Sequence, residues 1–282
     1  MKTVIALTLI LVVAAQATFW RKIRPLQPYR ESIRASDVYL KNGREAAPPG
    51  LFPFLVHISV NNGRKLFSGS LIKEDKVLTS AQCCSGGRIF HILVGANNHV
   101  DDEPSHQLVR STKCTIHESY NPFSLENDIC IIHLDFPVKG KGIETIRLPS
   151  HSQVSECCFV GWAATVSGFR LAQKGADGMW AAPFYSNVSI TENQTCRLAY
   201  PVDTSTIFCA KGLSGVCDED AGNPLTITEC DGVQTQIGIA SFGPHPPPVD
   251  GSCGRTDYPD GYVRLSATLD WMQRVAGVPI RP

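Results

Sequence analysis

Cysteine is the residue type in this sequence with the most chemistry to assign, because the chain contains eleven of them. Thiols form disulfides in exported proteins, and elsewhere they hold metals or act as nucleophiles. The adjacent pairs Cys83-Cys84 and Cys157-Cys158 lack the two-to-four-residue separation of zinc ligands, so we expect no metal site. The odd count predicts that at least one thiol is free or pairs with another molecule.

Histidine is the second residue type that could carry chemistry, and the chain has eight. His57 lies in a predicted strand, His117 precedes a turn, and His133 ends another predicted strand. None of them lies in a motif that resembles a nucleophile–base pair. A lone histidine in a strand is more often a surface or core residue, so these side chains indicate no catalytic pair of their own.

The first seventeen residues have the pattern of a signal peptide. Lys2 is followed by an apolar run over residues 4–14 and by an A-x-A cleavage site at residues 15–17. A membrane anchor is the weaker alternative, because the run is shorter than the ~20 residues that cross a bilayer. We therefore predict a signal peptide over residues 1–17, a secreted mature chain that begins at Thr18, and no membrane partner.

Strands rather than long helices are expected to position these residues. The 23 Gly and 19 Pro are scattered among about twelve short apolar runs with strand character between Phe54 and Leu265. Helical spacing is found only at the C-terminus, at Leu265, Leu269, Met272 and Ala276. The pattern predicts an all-β fold with a closing C-terminal helix. Basic and acidic residues balance at 26 each, which gives no reason to expect a nucleic-acid partner.

Several segments taken together resemble the chymotrypsin-like (peptidase S1) serine protease family. Eight of them occur in the family's order between residues 40 and 278, and they read LFPF, FSGSLI, VLTSAQC, NDI, GW, CDEDAGNP, YPDGY and LDW. The last two are most similar to arthropod digestive chymotrypsins and collagenolytic relatives. The resemblance implies two packed six-stranded antiparallel β-barrels with a cleft between them and a C-terminal α-helix. It assigns residues 40–282 to a peptidase S1-like domain and leaves residues 18–39 as a lead segment.

The catalytic triad of that family is a His base, an orienting Asp and a Ser nucleophile. By position, the base falls at Gln82, the orienting residue at Asp128 and the nucleophile at Ala221. An amide does not accept a proton near neutral pH, and a methyl group has no lone pair with which to attack. Glu219 stands where the family has the Gly that aims an N–H at the oxyanion. From these positions we expect that the chain is not an enzyme.

The resemblance also assigns a primary pocket. Gly215 would lie at its base, Ser241, Phe242 and Gly243 along one edge, and Asp260 nearby. A glycine at position 215, in place of an acidic residue, is unlike the pocket of trypsin, while Asp260 could attract a basic side chain. The edge could bind a peptide as an added strand, and a plugged pocket is an equal alternative.

Activation in the family creates a new N-terminus whose amine pairs with the Asp before the nucleophile. Here that pair would be Leu40 and Asp220, and Tyr39 precedes Leu40 where a Lys or Arg is usual. A trypsin-like activator therefore has no site at this bond, whereas a chymotrypsin-like cut would place Leu40 correctly.

Two disulfides are implied by the resemblance, Cys196–Cys209 and Cys217–Cys253. The family's bridge to the position of Cys83 is lost, because its partner position is Phe67. For the other thiols we expect one of Cys157 and Cys158 to pair with Cys230, one of Cys83 and Cys84 to pair with Cys114, and Cys130 to be a buried free thiol.

These observations favour a secreted serine protease homologue that binds proteases, protease inhibitors or peptide substrates and needs no cofactor. The sequons at Asn187 and Asn193 are candidate glycosylation sites that fit export. The alternative is an active chymotrypsin- or collagenase-like serine endopeptidase, which would need catalysis through other residues. A storage protein without a specific ligand is a third interpretation.

Overall fold

A computed structural model of the chain describes residues 45–63, 65–96, 107–154, 159–169, 183–213, 215–216, 220–243 and 257–282. Within these ranges the chain forms fourteen β-strands and three short α-helices, and the strands are divided between two antiparallel sheets. Every described residue belongs to one compact unit.

The first sheet has seven strands in the order β6-β5-β2-β3-β4-β8-β7. Its members are β2 (Leu55–Val60), β3 (Lys65–Lys73), β4 (Lys76–Thr79), β5 (Phe90–Val94), β6 (Gln107–Ser111), β7 (Lys113–Ile116) and β8 (Cys130–His133). The two edge strands, β6 and β7, are separated in the chain by Thr112 alone. The sheet must therefore curl until its two edges lie at one bend of the chain.

The second sheet also has seven strands, in the order β1-β10-β11-β14-β13-β12-β9. They are β1 (Glu45–Ala46), β9 (Ala163–Gly168), β10 (Phe184–Ile190), β11 (Ile207–Gly212), β12 (Pro224–Thr228), β13 (Gln234–Phe242) and β14 (Asp260–Arg264). Because β10 also pairs with β9, six of these strands close into a barrel. The two-residue strand β1 pairs with the first residues of β10.

Burial of apolar side chains holds the two sheets together, and this contribution scales with the area removed from water. One buried cluster joins Ile129 and Ile131 of the first sheet to Ile239 and Val263 of the second, and Met272 of the C-terminal helix packs against the same cluster. The predicted all-β class with a closing helix is confirmed. The first sheet differs in detail from the expected closed barrel, because it is curled and its edges do not pair with each other.

The three helices are α1 (Ala81–Cys84), α2 (Asn193–Ala199) and α3 (Leu269–Ala276). A 3₁₀ turn over Leu265–Thr268 precedes α3, and Gly277 ends it in the left-handed conformation at φ 63°. The expectation that only the C-terminus is helical is wrong, because α1 and α2 are formed in loops whose apolar spacing is too short to give a periodic signal. Among the described residues, no helix is long and apolar enough to cross a membrane.

Candidate functional site

Strands β4 and β8 bring two of the predicted site residues together. The strands are neighbours, with Thr79 opposite Cys130, so the residues just after β4 lie beside those just before β8. Helix α1 begins after β4, and the Ser80 hydroxyl oxygen caps it by accepting from the Cys83 N–H at 3.3 Å. The helix carries Gln82, and the segment before β8 carries Asp128.

The carboxylate of Asp128 is fully buried and is held by donors from two sides. The Gln82 backbone N–H donates to Oδ1 at 2.9 Å, and the Gln82 amide Nε2 donates to Oδ2 at 2.6 Å. The Ser241 hydroxyl also donates to Oδ2, at 2.6 Å. Burial raises the pKa of the Asp128 carboxyl above its usual range, and the hydrogen bonds from Ser241 and Gln82 offset only part of that effect.

The Gln82 amide makes a second bond that joins α1 to the second sheet. Its Nε2 donates to the Ser241 carbonyl oxygen at 2.9 Å. Together with the bonds to Asp128, this makes a small platform of Gln82, Asp128 and Ser241 that spans the two sheets. A carbonyl oxygen has two lone pairs, so the Ser241 carbonyl can accept one further N–H.

Ala221 lies at the predicted nucleophile position, and its methyl group is buried with Cys83 and Phe67 in one apolar cluster. Gly222 follows at φ 96°, and a Cβ there would lie 2.4 Å from the Ser68 carbonyl oxygen. The loop therefore packs tightly against β3. Neither the Ala221 methyl group nor the Gln82 amide can attack a carbonyl or take up a proton near neutral pH.

The three singled-out histidines make their contacts elsewhere in the first sheet and beside α3. His57 lies buried on β2, edge-on to Phe169 at 5.7 Å between ring centroids, and β3 and β4 separate β2 from β8. His117 packs against Trp271 at 5.1 Å, and His133 Nε2 lies 2.8 Å from the Thr115 hydroxyl. Burial lowers the pKa of both His117 and His133.

The described walls of the predicted pocket are in contact with each other. A Cβ at Gly243 would lie 2.4 Å from the Val216 carbonyl oxygen and 3.3 Å from Asp260 Oδ1. A side chain between two walls needs about 7 Å, which is twice a normal carbon–carbon contact. Residues 215–216 and Gly243 therefore enclose no slot for a side chain, while the buried Asp260 carboxylate lies close to where such a slot would open.

The remaining pocket and activation residues are placed as follows. Phe242 lies over Gly261 and meets the Tyr200 ring edge-on at 5.1 Å. Asp220 is buried, and the Asn223 side-chain amide donates to it at 3.4 Å. The predicted features that lie outside the described residues are the signal peptide over residues 1–17, the lead segment over 18–39, Leu40, Glu219, Cys157, Cys158 and the pair Cys217–Cys253.

Two disulfides join described residues. Cys196 on α2 is bonded to Cys209 on β11, and Cys84 on α1 is bonded to Cys130 on β8. The expectation that Cys130 is a free thiol is therefore wrong, because α1 packs directly beside β8. Cys114 is a free, half-buried thiol rather than a partner of the adjacent cysteines in α1.

Two further thiols and both sequons complete the predicted positions. Cys230 is free and exposed, which contradicts its expected disulfide, and burial strongly raises the pKa of the free Cys83 thiol. Asn187 is exposed on β10. Asn193 begins α2, and its side-chain oxygen accepts from Arg264 at 3.3 Å.

Sequence reasoning missed the Cys84–Cys130 bond beside the site and the close approach of Gly222 to β3. No sequence signal indicates the disulfide, since its cysteines are 46 residues apart and either of two adjacent cysteines could have formed it. The run of Ala221, Gly222 and Asn223 does contain a glycine signal, which becomes informative only once the position of β3 is known.

Comparison with known proteins identifies the family. The family model described as Trypsin matches residues 41–272 of the chain. The chain belongs to the trypsin family. Among its relatives, Brachyurin of Leptuca pugilator is 34% identical over 74% of this chain and 87% of that protein. Chymotrypsin of Phaedon cochleariae is 31% identical over 88% of this chain and 86% of that protein. Trypsin of Xenopus laevis is 28% identical, over 78% and 84% respectively.

These trypsin-family relatives correct one prediction. The expectation that the chain is not an enzyme is contradicted, because the relatives that it matches along most of their length are named as proteases. The geometry limits how such an activity would work. Hydrolysis by this chain needs a base and a nucleophile other than the side chains of Gln82 and Ala221.

Proposed function

We propose that this member of the trypsin family binds an extended protein or peptide segment at the platform formed by Gln82, Asp128 and Ser241. The observation that carries the proposal is the hydrogen-bonded network itself, in which both oxygens of a buried carboxylate are occupied and the end of β13 is fixed. The end of β13 extends past Ile239, the last residue of β13 that is in register with β12, so an added strand can pair there. Proteases, protease inhibitors and protease substrates are the partner classes that fit.

Hydrolysis of the bound segment is the second candidate function, as in a chymotrypsin- or collagenase-like serine endopeptidase. It is favoured by the names of the relatives, two of which are at least 31% identical to this chain. Binding requires only groups that the described site contains. Hydrolysis requires in addition a proton acceptor and an attacking group other than the side chains of Gln82 and Ala221.

Asp260 is the residue from which we infer the preferred side chain of the ligand. Its carboxylate is buried and lies next to Gly243 at the predicted pocket. A carboxylate beside a pocket attracts a cationic side chain, so a ligand with Lys or Arg would be preferred once residues 215–216 and Gly243 separate. Their contact in this structure implies that ligand binding includes an opening step.

Export is part of the same proposal. Its support is the signal-peptide pattern over residues 1–17, the sequons at Asn187 and Asn193, and the disulfides. Mass spectrometry of secreted protein, before and after removal of N-glycans, tests the start at Thr18 and glycosylation together.

One experiment separates the two candidate functions. The mature chain from Thr18, with and without cleavage after Tyr39, is mixed with a library of internally quenched peptides, and binding and cleavage are measured on the same samples. Saturable binding without product supports the first candidate. Product that disappears in Asp128→Ala, and is absent from a mock preparation, supports the second. A folded protein that neither binds nor cleaves any peptide contradicts both.

A restored variant shows whether a bound segment reaches the platform. The double variant Gln82→His/Ala221→Ser supplies an imidazole and a hydroxyl at the two triad positions. Turnover that appears in this variant, but not in the matched control Gln194→His on the exposed surface of α2, supports binding at the platform.

A further inference from the structure

Three cysteine sulfur atoms lie close together where α1, the helix that carries Gln82, packs on β7 and β8. The Sγ atoms of Cys84, Cys114 and Cys130 are all within 4.8 Å of one another. Cys84 and Cys130 are joined in a disulfide, while Cys114 keeps a free thiol. Within the described ranges no other group of cysteine, histidine or acidic side chains is clustered in this way.

The topology explains why the three sulfurs meet. Strands β7 and β8 pair with Ile116 opposite Cys130 and Cys114 opposite Ile132. Cys114 and Cys130 are therefore diagonal neighbours on one face of the strand pair, at a spacing that long side chains can bridge. Helix α1 packs on that face and contributes Cys84. The same face thus offers the Cys84 sulfur two partners, Cys130, to which it is bonded, and Cys114, whose sulfur lies within 4.8 Å.

We propose that this three-sulfur cluster is a thiol–disulfide exchange site, in which Cys114 can replace either Cys84 or Cys130 in the bond. In one direction the Cys114 thiolate attacks the Cys84 sulfur, and a Cys84–Cys114 bond forms as the Cys84–Cys130 bond breaks. The electron pair leaves on the Cys130 sulfur, which takes up the proton that Cys114 lost. The cluster keeps one disulfide and one thiol throughout, so no oxidant or reductant is consumed.

The exposure of the cysteines selects Cys114 as the attacking group. Cys114 is half-buried, whereas Cys83, the other free thiol beside the cluster, has no exposed surface. Burial raises the pKa of Cys114 above that of an ordinary thiol and raises that of Cys83 much further. Exchange through Cys114 therefore accelerates with pH, because the thiolate is the reactive form.

Exchange has a consequence for the candidate site. Helix α1 carries both Cys84 and Gln82, and Gln82 makes the contacts to Asp128 and Ser241. The Cys84–Cys130 bond ties α1 to β8, close to Asp128, whereas a Cys84–Cys114 bond would tie it to β7. The state of the cluster thus sets how α1 is anchored, whichever function the platform serves.

The test is a count of free thiols in the full mature chain by alkylation in acid-quenched samples and non-reducing peptide mapping. In Cys130→Ser we expect a Cys84–Cys114 bond, so that the cluster contains no free thiol. In Cys84→Ser we expect a Cys114–Cys130 bond. Cys114→Ser should keep the bond of the wild type, and Cys230→Ser, which removes an exposed thiol elsewhere, should leave the cluster unchanged.

Two results would overturn the proposal. The first is a folded Cys130→Ser protein in which Cys84 and Cys114 are both alkylated. The second needs no variant and covers the case in which the substituted proteins do not fold. Within the cluster, wild-type protein held at pH 8.5 and then trapped should carry the label on Cys84 and Cys130 as well as on Cys114. A label that is confined to Cys114 among these three cysteines rules out exchange.

Discussion

Replacing Gln82 with Met removes the side-chain donor of the platform while it keeps the length of the side chain. The lost bonds are the amide donation to Asp128 Oδ2 at 2.6 Å and the donation to the Ser241 carbonyl at 2.9 Å. The backbone N–H of residue 82 still donates to Oδ1, and Ser241 still donates to Oδ2. The change therefore isolates the contribution of one amide to a buried carboxylate.

The expected loss in the free energy of unfolding follows from the two acceptors of the Gln82 amide, a carboxylate and a backbone carbonyl. A hydrogen bond to a charged group contributes about 1.5–3 kcal/mol, and a bond between neutral groups contributes about 1 kcal/mol. Gln82 is only half-buried, so water replaces part of the loss at the Ser241 carbonyl. We expect the free energy of unfolding to fall by about 2 kcal/mol at pH 7, or roughly 4–8 °C in Tm for a domain of this size.

The loss of stability in Gln82→Met should depend on pH, and the pKa of Asp128 sets the direction of that dependence. Burial raises the folded-state pKa of Asp128 above its unfolded value, so ionisation of Asp128 costs stability as pH rises through the folded pKa. The Gln82 amide reduces this cost only while the carboxylate is charged. The loss in Gln82→Met should therefore be larger at pH 7 than at acid pH, and it should shrink as pH falls through the pKa of Asp128.

Urea unfolding followed by fluorescence, at pH 7 and at acid pH, measures both the loss in the free energy of unfolding and its dependence on pH. Gln194→Met on exposed α2 is the matched control and should change stability by less than about 0.5 kcal/mol. A Gln82→Met protein as stable as wild type at pH 7 would refute the role of the amide. A loss of equal size at pH 7 and at acid pH would refute the argument from the charge on Asp128.

Three further predictions concern other parts of the fold. Gly222→Ala should lower the free energy of unfolding by about 3 kcal/mol, because φ is 96° and the new Cβ would lie 2.4 Å from a backbone oxygen. The control is Gly63→Ala, where φ is 85° but the new Cβ meets open space. This control should lower the free energy of unfolding by only about 1 kcal/mol. Cys196→Ser should cost about 3 kcal/mol in urea unfolding, because its disulfide spans 13 residues. His117 should titrate below 6.5 in NMR because it is partly buried, and lower still in Glu118→Gln, which removes a charge that favours the imidazolium. Because the folded pKa is depressed, the stability that His117 contributes is present above pH 6.5 and is lost as pH falls below it.

Each of these three predictions would be contradicted by a different observation. Equal losses in the two glycine variants would show that contact with β3 does not constrain the nucleophile loop. Unchanged stability in Cys196→Ser would mean that the disulfide does not restrict the unfolded chain. A His117 midpoint above 6.5 would show that the charge of Glu118 outweighs burial against Trp271.

Much of the fold could be predicted from the sequence because its signals are local. Short apolar runs separated by Gly and Pro indicate strands, and the helical spacing at Leu269, Met272 and Ala276 indicates the closing helix. The order of the eight motifs places Gln82 and Asp128 in one site. Helix α2 was missed because seven residues with one buried side chain, Cys196, give no periodic pattern.

The sequence by itself determined the all-β class, the trypsin-family motifs and the chemical groups at the triad positions, since a residue's identity fixes what it can donate, accept or attack with. Only the tertiary structure decided which groups touch. The Gln82 amide is shared between Asp128 and Ser241, and the predicted pocket is closed at Gly243. The choice among Cys84, Cys114 and Cys130 also belongs to the tertiary structure, because contacts between residues far apart in the chain depend on how strands pair and helices pack, and local patterning does not specify that.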